Sequence, residues 1–256
     1  MIASRCQPTL LQAAKAVIAM CAIATSVYVF NDVMDLRLDK INKVFNPLTQ
    51  GKVSKNEAIS LAFISAAIGM LFSYAINLAA FMLGSICLIL GFTYSSPQTY
   101  LKKRFPVKML IGPTGVAIAY LFGGASVGVF SPILLYAVGL MFCATLAVNP
   151  IVDLPDIKGD AKRRCKTLAV VLGPTFTIKF AIAVLLSVAV TISLYSYLFG
   201  LGLALPLLAD VFCLSLVLVI YPLLNPRQPL EYVRGVIKKM IFIYSLFPIA
   251  LIFTAI

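Results

Sequence analysis

The stretch LLQAAKAVIAMCAIATSVYVFNDVMDLRLD, residues 10–39, holds two messages in thirty residues. Its first two thirds is an apolar run with one cation, Lys15, long enough to cross a hydrocarbon core of roughly 30 Å, which takes about 20 residues of helix. Its last third, Asn31 to Asp39, places three aspartates at spacings of three and four. If the helix continues, Asp32, Asp35 and Asp39 stack on one face with Asn31 beside Asp35. Three carboxylates crowded at a bilayer surface repel one another unless a cation neutralises them, and an oxygen-only set of ligands suits magnesium.

The same apolar pattern recurs along the chain. Runs bounded by charge, Pro or Gly predict membrane helices near 10–30, 56–76, 79–95, 108–129, 132–151, 174–198, 201–222 and 236–256. The 256 residues are 61% hydrophobic and only 12% charged, with a mean hydropathy of +1.02, values outside the range of water-soluble domains. The expected fold is an all-α, polytopic membrane bundle of about eight transmembrane helices forming one domain over residues 1–256, with membrane lipids as its surroundings. The first run is followed by acids and has no small-residue cleavage site, so it does not read as a removable signal peptide.

A net charge of +12 suggests nucleic acid in a soluble protein. Here the cations sit in short loops between apolar runs, the pattern of topology signals, and no nucleic-acid partner is expected. They gather after the first, third, fifth and seventh helices: Arg37, Lys40, Lys43, Lys52 and Lys55; Lys102, Lys103, Arg104 and Lys108; Lys158 to Lys166; and Arg227, Arg234, Lys238 and Lys239. The other connections are short and uncharged. The positive-inside rule therefore predicts a multi-pass protein of the cell membrane with these four loops cytoplasmic and the C-terminus outside. The chain has no histidine, and its six cysteines are scattered without a CxxC pair. That excludes a zinc or haem site built on His and argues against a disulfide framework.

Six of the nine acids fall in two stretches. The second, Asp153-Leu154-Pro155-Asp156-Ile157-Lys158-Gly159-Asp160, repeats the spacing of three and four after the fifth helix, although Pro155 makes an undistorted helix there doubtful. One such cluster reads equally as solvated, helix-capping acids. Two of the same spacing, both at predicted cytoplasmic helix ends, point to a pair of acidic walls that bind divalent cations and, through them, a diphosphate. Metal ions on such a leaving group stabilise the charge that develops as the carbon–oxygen bond breaks.

These residues resemble the UbiA superfamily of intramembrane prenyltransferases. Its first motif, NDxxDxxxD, is matched by Asn31, Asp32, Asp35 and Asp39. The segment Pro47 to Ser54 echoes the loop that follows in the family. The second motif, DxxDxxGD followed by Lys-Thr-Leu, is matched by Asp153, Asp156, Gly159, Asp160 and Lys166-Thr167-Leu168. Between them, Tyr94-Ser95-Ser96-Pro97 leading to Leu101-Lys102 resembles the family's third loop.

The resemblance implies a central cavity capped on the cytoplasmic side by the motif loops. Asp32, Asp35, Asp39, Asp153, Asp156 and Asp160 would hold Mg2+, with Asp32, Asp35, Asp156 and Asp160 the acids on which catalysis depends. Asn31, Lys102, Arg104 and Tyr94 would contact the diphosphate. Lys102, Lys103 and Arg104 read equally as topology signals, and Tyr94 equally as an interfacial aromatic.

The chain departs from the family pattern in two places. The first motif begins at residue 31, so helix one corresponds to the family's second helix and the usual first is expected to be absent. Asn46-Pro47 stands where an Arg-Pro pair is common.

The implied reaction is magnesium-dependent transfer of an isoprenyl group from its diphosphate to a hydrophobic, lipid-like or ring acceptor. The alternative is a membrane terpene cyclase acting on the diphosphate alone. A transporter for a cationic ligand fits less well, because the acids lie at helix ends and only Asp210 sits well inside a span.

Overall fold

A computed structural model describes residues 8–41, 45–162 and 165–254. Lys43, Arg163 and Ile256, which carry part of the loop-charge and end assignments, lie outside these. The described residues form ten α-helices joined by short turns and 3-10 segments, and they contain no strand.

In chain order the helices are α1 (Leu10–Ile41), α2 (Lys55–Ile76), α3 (Leu78–Ser95), α4 (Val107–Ser126), α5 (Pro132–Val152), α6 (Ile157–Lys162), α7 (Leu168–Leu172), α8 (Pro174–Leu198), α9 (Ala204–Ile220) and α10 (Leu230–Thr254). Seven of the described helical segments are long and apolar enough to cross a membrane, against the eight expected. The exception is α10. It has the length, but Glu231, Arg234, Lys238 and Lys239 occupy its first half, and it begins at residue 230 rather than near 236.

Local signals set the ends. Ser54 and Glu57 form a reciprocal capping box at the start of α2, with N–H to side-chain oxygen distances of 3.2 and 2.7 Å. Asn77 both ends α2 and caps α3, so a single residue makes that hairpin. Gly173, at φ +85°, separates α7 from α8 in a conformation that a side chain disfavours.

The chain divides into two compact units, and α4 belongs to one up to Tyr120 and to the other from Leu121 on. The first unit contains α1, α2 and α3 with residues 121–129. Small residues let its helices approach closely, as membrane interfaces require. A methyl group added at Gly69 would stand 2.7 Å from Ile23 Cγ1 and 3.1 Å from the Ala19 carbonyl oxygen, and one at Gly91 would meet both Val27 methyls at 2.5 Å.

The second unit is built on α5, α8, α9 and α10, whose facing sides supply its core, including Leu140, Leu185, Leu216 and Met240. Outward-facing side chains are also apolar: Val190 on α8 and Leu218 on α9 are 70% and 74% exposed. An apolar outside around an apolar inside is what a helix surrounded by lipid requires. None of the five described cysteines is in a disulfide.

Candidate active site

In the first unit, α1 does not end with its apolar run. It continues through the acidic stretch to Ile41, so Asn31, Asp32, Asp35 and Asp39 do share one helical face. All four are partly buried. Two have partners far along the chain. Ser95 Oγ, buried at the last residue of α3, donates to Asn31 Oδ1 at 2.7 Å. Lys102 Nζ donates to Asp35 Oδ1 in an ion pair whose side chains are only 12% and 18% exposed.

Lys102 is held by the turn that follows α3. Its Nζ lies 5.2 Å from the ring centre of Tyr100, within cation–π range. Tyr100 takes φ +44°, an unusual conformation for a bulky residue, and its N–H donates to the Ser96 carbonyl at 2.8 Å. Tyr94 lies in the last turn of α3, partly buried. Asn46 is occupied in its own turn, accepting from the Thr49 N–H at 2.8 Å while its N–H donates to Thr49 Oγ1 at 3.1 Å.

In the second unit the spacing of three and four is present but not on one continuous helix. α5 stops at Val152, Leu154–Asp156 form a 3-10 turn around Pro155, and α6 begins at Ile157. Proline lacks the N–H and clashes with the preceding turn, which is the physical reason for the break. Asp153 and Asp160 meet at a cation: Lys108 Nζ, in the first turn of α4, stands 2.9 Å from Asp153 Oδ2 and 3.9 Å from Asp160 Oδ2. Asp156 is exposed, and its N–H donates to the Asp153 carbonyl at 3.1 Å. Arg104 is exposed and makes none of the ion pairs found among the described residues. The tail of the stretch is anchored by the Lys166 N–H donating to the Lys103 carbonyl at 3.3 Å and by Thr167, which caps α7.

Three contributors were not among the expected site residues: Lys108, Ser95 as the partner of Asn31, and Tyr100 beside Lys102. Lys108 does leave a trace in the sequence. A lysine in the first turn of a helix opposes the helix dipole, so it gains from an acidic partner elsewhere.

Among the described residues no three acidic or cysteine side chains stand close enough to hold a metal ion by themselves. The donor chemistry nevertheless fits magnesium, which is commonly bound by one or two carboxylates together with water and substrate phosphates rather than by a cage of protein ligands. In each unit a lysine ammonium provides the positive charge that the carboxylates require.

The fold has close counterparts among solved structures. One, of a digeranylgeranylglyceryl phosphate synthase, superposes with a TM-score of 0.78 at 22% identity, over 99% of this chain and 89% of the other. Another, a UbiA homologue of Archaeoglobus fulgidus bound to GPP and Mg2+, superposes with a TM-score of 0.73 at 18% identity, over 95% and 88%. Among curated proteins, the digeranylgeranylglyceryl phosphate synthase of Sulfurisphaera tokodaii is 32% identical over 177 residues, which are 68% of this chain and 63% of that one. The chain thus spans less than two thirds of that relative's length. Residues 1–246 match the sequence model of the UbiA prenyltransferase family, the family to which this chain belongs.

Proposed function

We propose that the chain catalyses magnesium-dependent transfer of an isoprenyl group, within the membrane, from a prenyl diphosphate to the hydroxyl of an isoprenoid glyceryl phosphate. The observation that carries the reading is the pairing of each acidic stretch with a buried or half-buried lysine: Asp35 with Lys102, and Asp153 and Asp160 with Lys108. A diphosphate needs both signs of charge around it, carboxylates for its metal ions and ammonium groups for its free oxygens. The acceptor is drawn from the relatives' name, digeranylgeranylglyceryl phosphate synthase.

In this reading Asp32, Asp35 and Asp39 in one stretch, and Asp153, Asp156 and Asp160 in the other, would each lend one or two carboxylates at a time to magnesium, with water and diphosphate oxygens completing the set. Magnesium bound there supplies neutralisation of the diphosphate leaving group. Lys102 and Lys108 turn from their carboxylates to the phosphate oxygens, while Asn31 and Tyr94 orient the diphosphate and Arg104 meets it from the loop. When the carbon–oxygen bond to the diphosphate breaks, the apolar helices keep water out, so the acceptor oxygen rather than water captures the allylic cation, and its proton passes to the released diphosphate. The motif loops face the cytoplasm, where the soluble diphosphate head arrives.

The test is incubation of the purified protein in detergent with magnesium, prenyl diphosphates of increasing chain length and a prenylated glyceryl phosphate, followed by mass analysis of the lipid products. A product heavier than the acceptor by one isoprenyl group, absent with excess chelator, is expected. Cyclic hydrocarbons or terpene alcohols formed at a rate indifferent to the acceptor overturn the transferase reading in favour of a cyclase.

A further inference from the structure

A concavity lies in the α5–α8–α9–α10 unit, against the second acidic stretch. It is an open cleft of about 530 Å³, a volume in the range of sites for small organic molecules. Its walls come from three places at one end of the helices: Leu154 and Lys158 of the acidic stretch, Thr175 and Ile178 at the start of α8, and Asn225 and Val233 around the start of α10.

The lining is amphiphilic. Leu154, Ile178 and Val233 make an apolar floor, while Thr175 and Asn225 are polar. Lys158 is the one charged residue among the described lining, and no acid joins it. α8 begins here without a side-chain cap, so the positive end of its dipole adds to the charge of Lys158. The charged first half of α10 borders this end of the helices, which suits the headgroup level of a bilayer, where basic residues meet anionic lipid.

We infer that this cavity binds the headgroup and glycerol region of an anionic glycerophospholipid, through Lys158 and the first turn of α8, with the upper acyl carbons on the apolar floor. A free phosphate would use the cation but leave the apolar floor bare, which is why the lipid is the occupant. Leu154 and Pro155 lie between Asp153 and Asp156, so a bound lipid buttresses the turn that carries those acids. The described lining contains none of the aspartates, although it flanks them, and its occupant does not depend on the identity of the acceptor.

The experiment measures the melting temperature of the full chain in neutral detergent with added phosphatidylglycerol, phosphatidylcholine or inorganic phosphate. Phosphatidylglycerol is expected to raise it by about 4 °C, a shift well within reach of a ligand that binds only the folded state. The other two should leave it unchanged. Lys158→Gln and Lys158→Glu should abolish the shift, as should filling the cavity by Val233→Phe, while Lys239→Glu, an equal charge change outside the lining, should keep it. An equal shift with phosphatidylcholine or with inorganic phosphate overturns the proposal, and so does a full shift in Lys158→Glu.

Discussion

Lys108 Nζ stands 2.9 Å from Asp153 Oδ2, joining the start of α4 to the end of α5 across 45 residues of sequence, and reaches toward Asp160 at 3.9 Å. Without it the two carboxylates would face each other half-buried and unneutralised, an arrangement that costs free energy unless another cation enters. The same lysine therefore bridges the two acids, and an ammonium at that point would be placed to meet an anion if a metal ion neutralised them instead.

Replacing Lys108 by Ala should lower kcat/KM for prenyl diphosphate by about 100-fold, or about 2.7 kcal/mol of transition-state stabilisation. Lys108→Arg should keep the charge and recover most of that loss. Steady-state kinetics in detergent decide it. An alanine variant with unchanged kcat/KM removes Lys108 from the site.

The aspartates separate by environment. Asp35 is ion-paired and largely covered, whereas Asp156 is exposed. Asp35→Ala leaves Lys102 without its partner, so it should lower both activity and melting temperature. Asp156→Ala, and Asp32→Ala with it, should abolish turnover with the protein still folded. Thermal unfolding beside the activity assay separates the two cases. Turnover by wild type in excess chelator would falsify the magnesium model for both.

The long apolar runs place α2, α3, α5 and α8 to within one residue, because in lipid the length of a helix is set by the bilayer and written in composition. The end of α1 is not written that way. The apolar run stops near residue 30 and leaves open whether the helix continues, whereas in the structure it runs on to Ile41, with Asn31 and Asp35 meeting partners 64 and 67 residues away, Ser95 and Lys102. α10 starts early for a related reason, since its charged first turns are compatible with helix although not with a span. The spacing in Asp153–Asp160 is legible, while its geometry is not, because Pro155 divides the stretch between two helical forms. Lys108 is hidden by ambiguity: a lysine at a membrane helix end is a topology signal and a carboxylate partner alike.

Close helix approach in the first unit should make Gly91→Ala and Gly69→Ala destabilising. At Gly91 the new methyl meets the two branches of Val27 at 2.5 Å, and a β-branched side chain has few rotamers in which to yield. At Gly69 the obstacles include backbone atoms of α1, the Ala19 carbonyl oxygen and the Ile23 nitrogen, both at 3.1 Å. Overpacking of this kind costs about 1–3 kcal/mol. Gly115→Ala, where no atom lies within 4 Å of the added group, is the control. Unfolding in detergent should rank Gly91→Ala and Gly69→Ala below wild type and leave Gly115→Ala near it.

That the acidic stretches face the cytoplasm is an expectation from charge alone, and it is open to direct measurement. The connection from α3 to α4 carries Lys102, Lys103 and Arg104, and that from α9 to α10 carries Arg227. The connections α4–α5, residues 127–131, and α8–α9, residues 199–203, carry no charge. Translocating a cluster of lysines and arginines is resisted, so the charged connections are expected to stay on the side of synthesis and the uncharged ones to cross. In a cysteine-free background, single cysteines at Lys103 and Arg227 should react with an impermeant maleimide only after the cytoplasmic face is opened. Cysteines at Val129 and Phe199 should react in intact cells. If Lys103→Cys and Arg227→Cys label from opposite faces, an odd number of spans separates them, and the reading of α4, α5, α8 and α9 as four crossings fails.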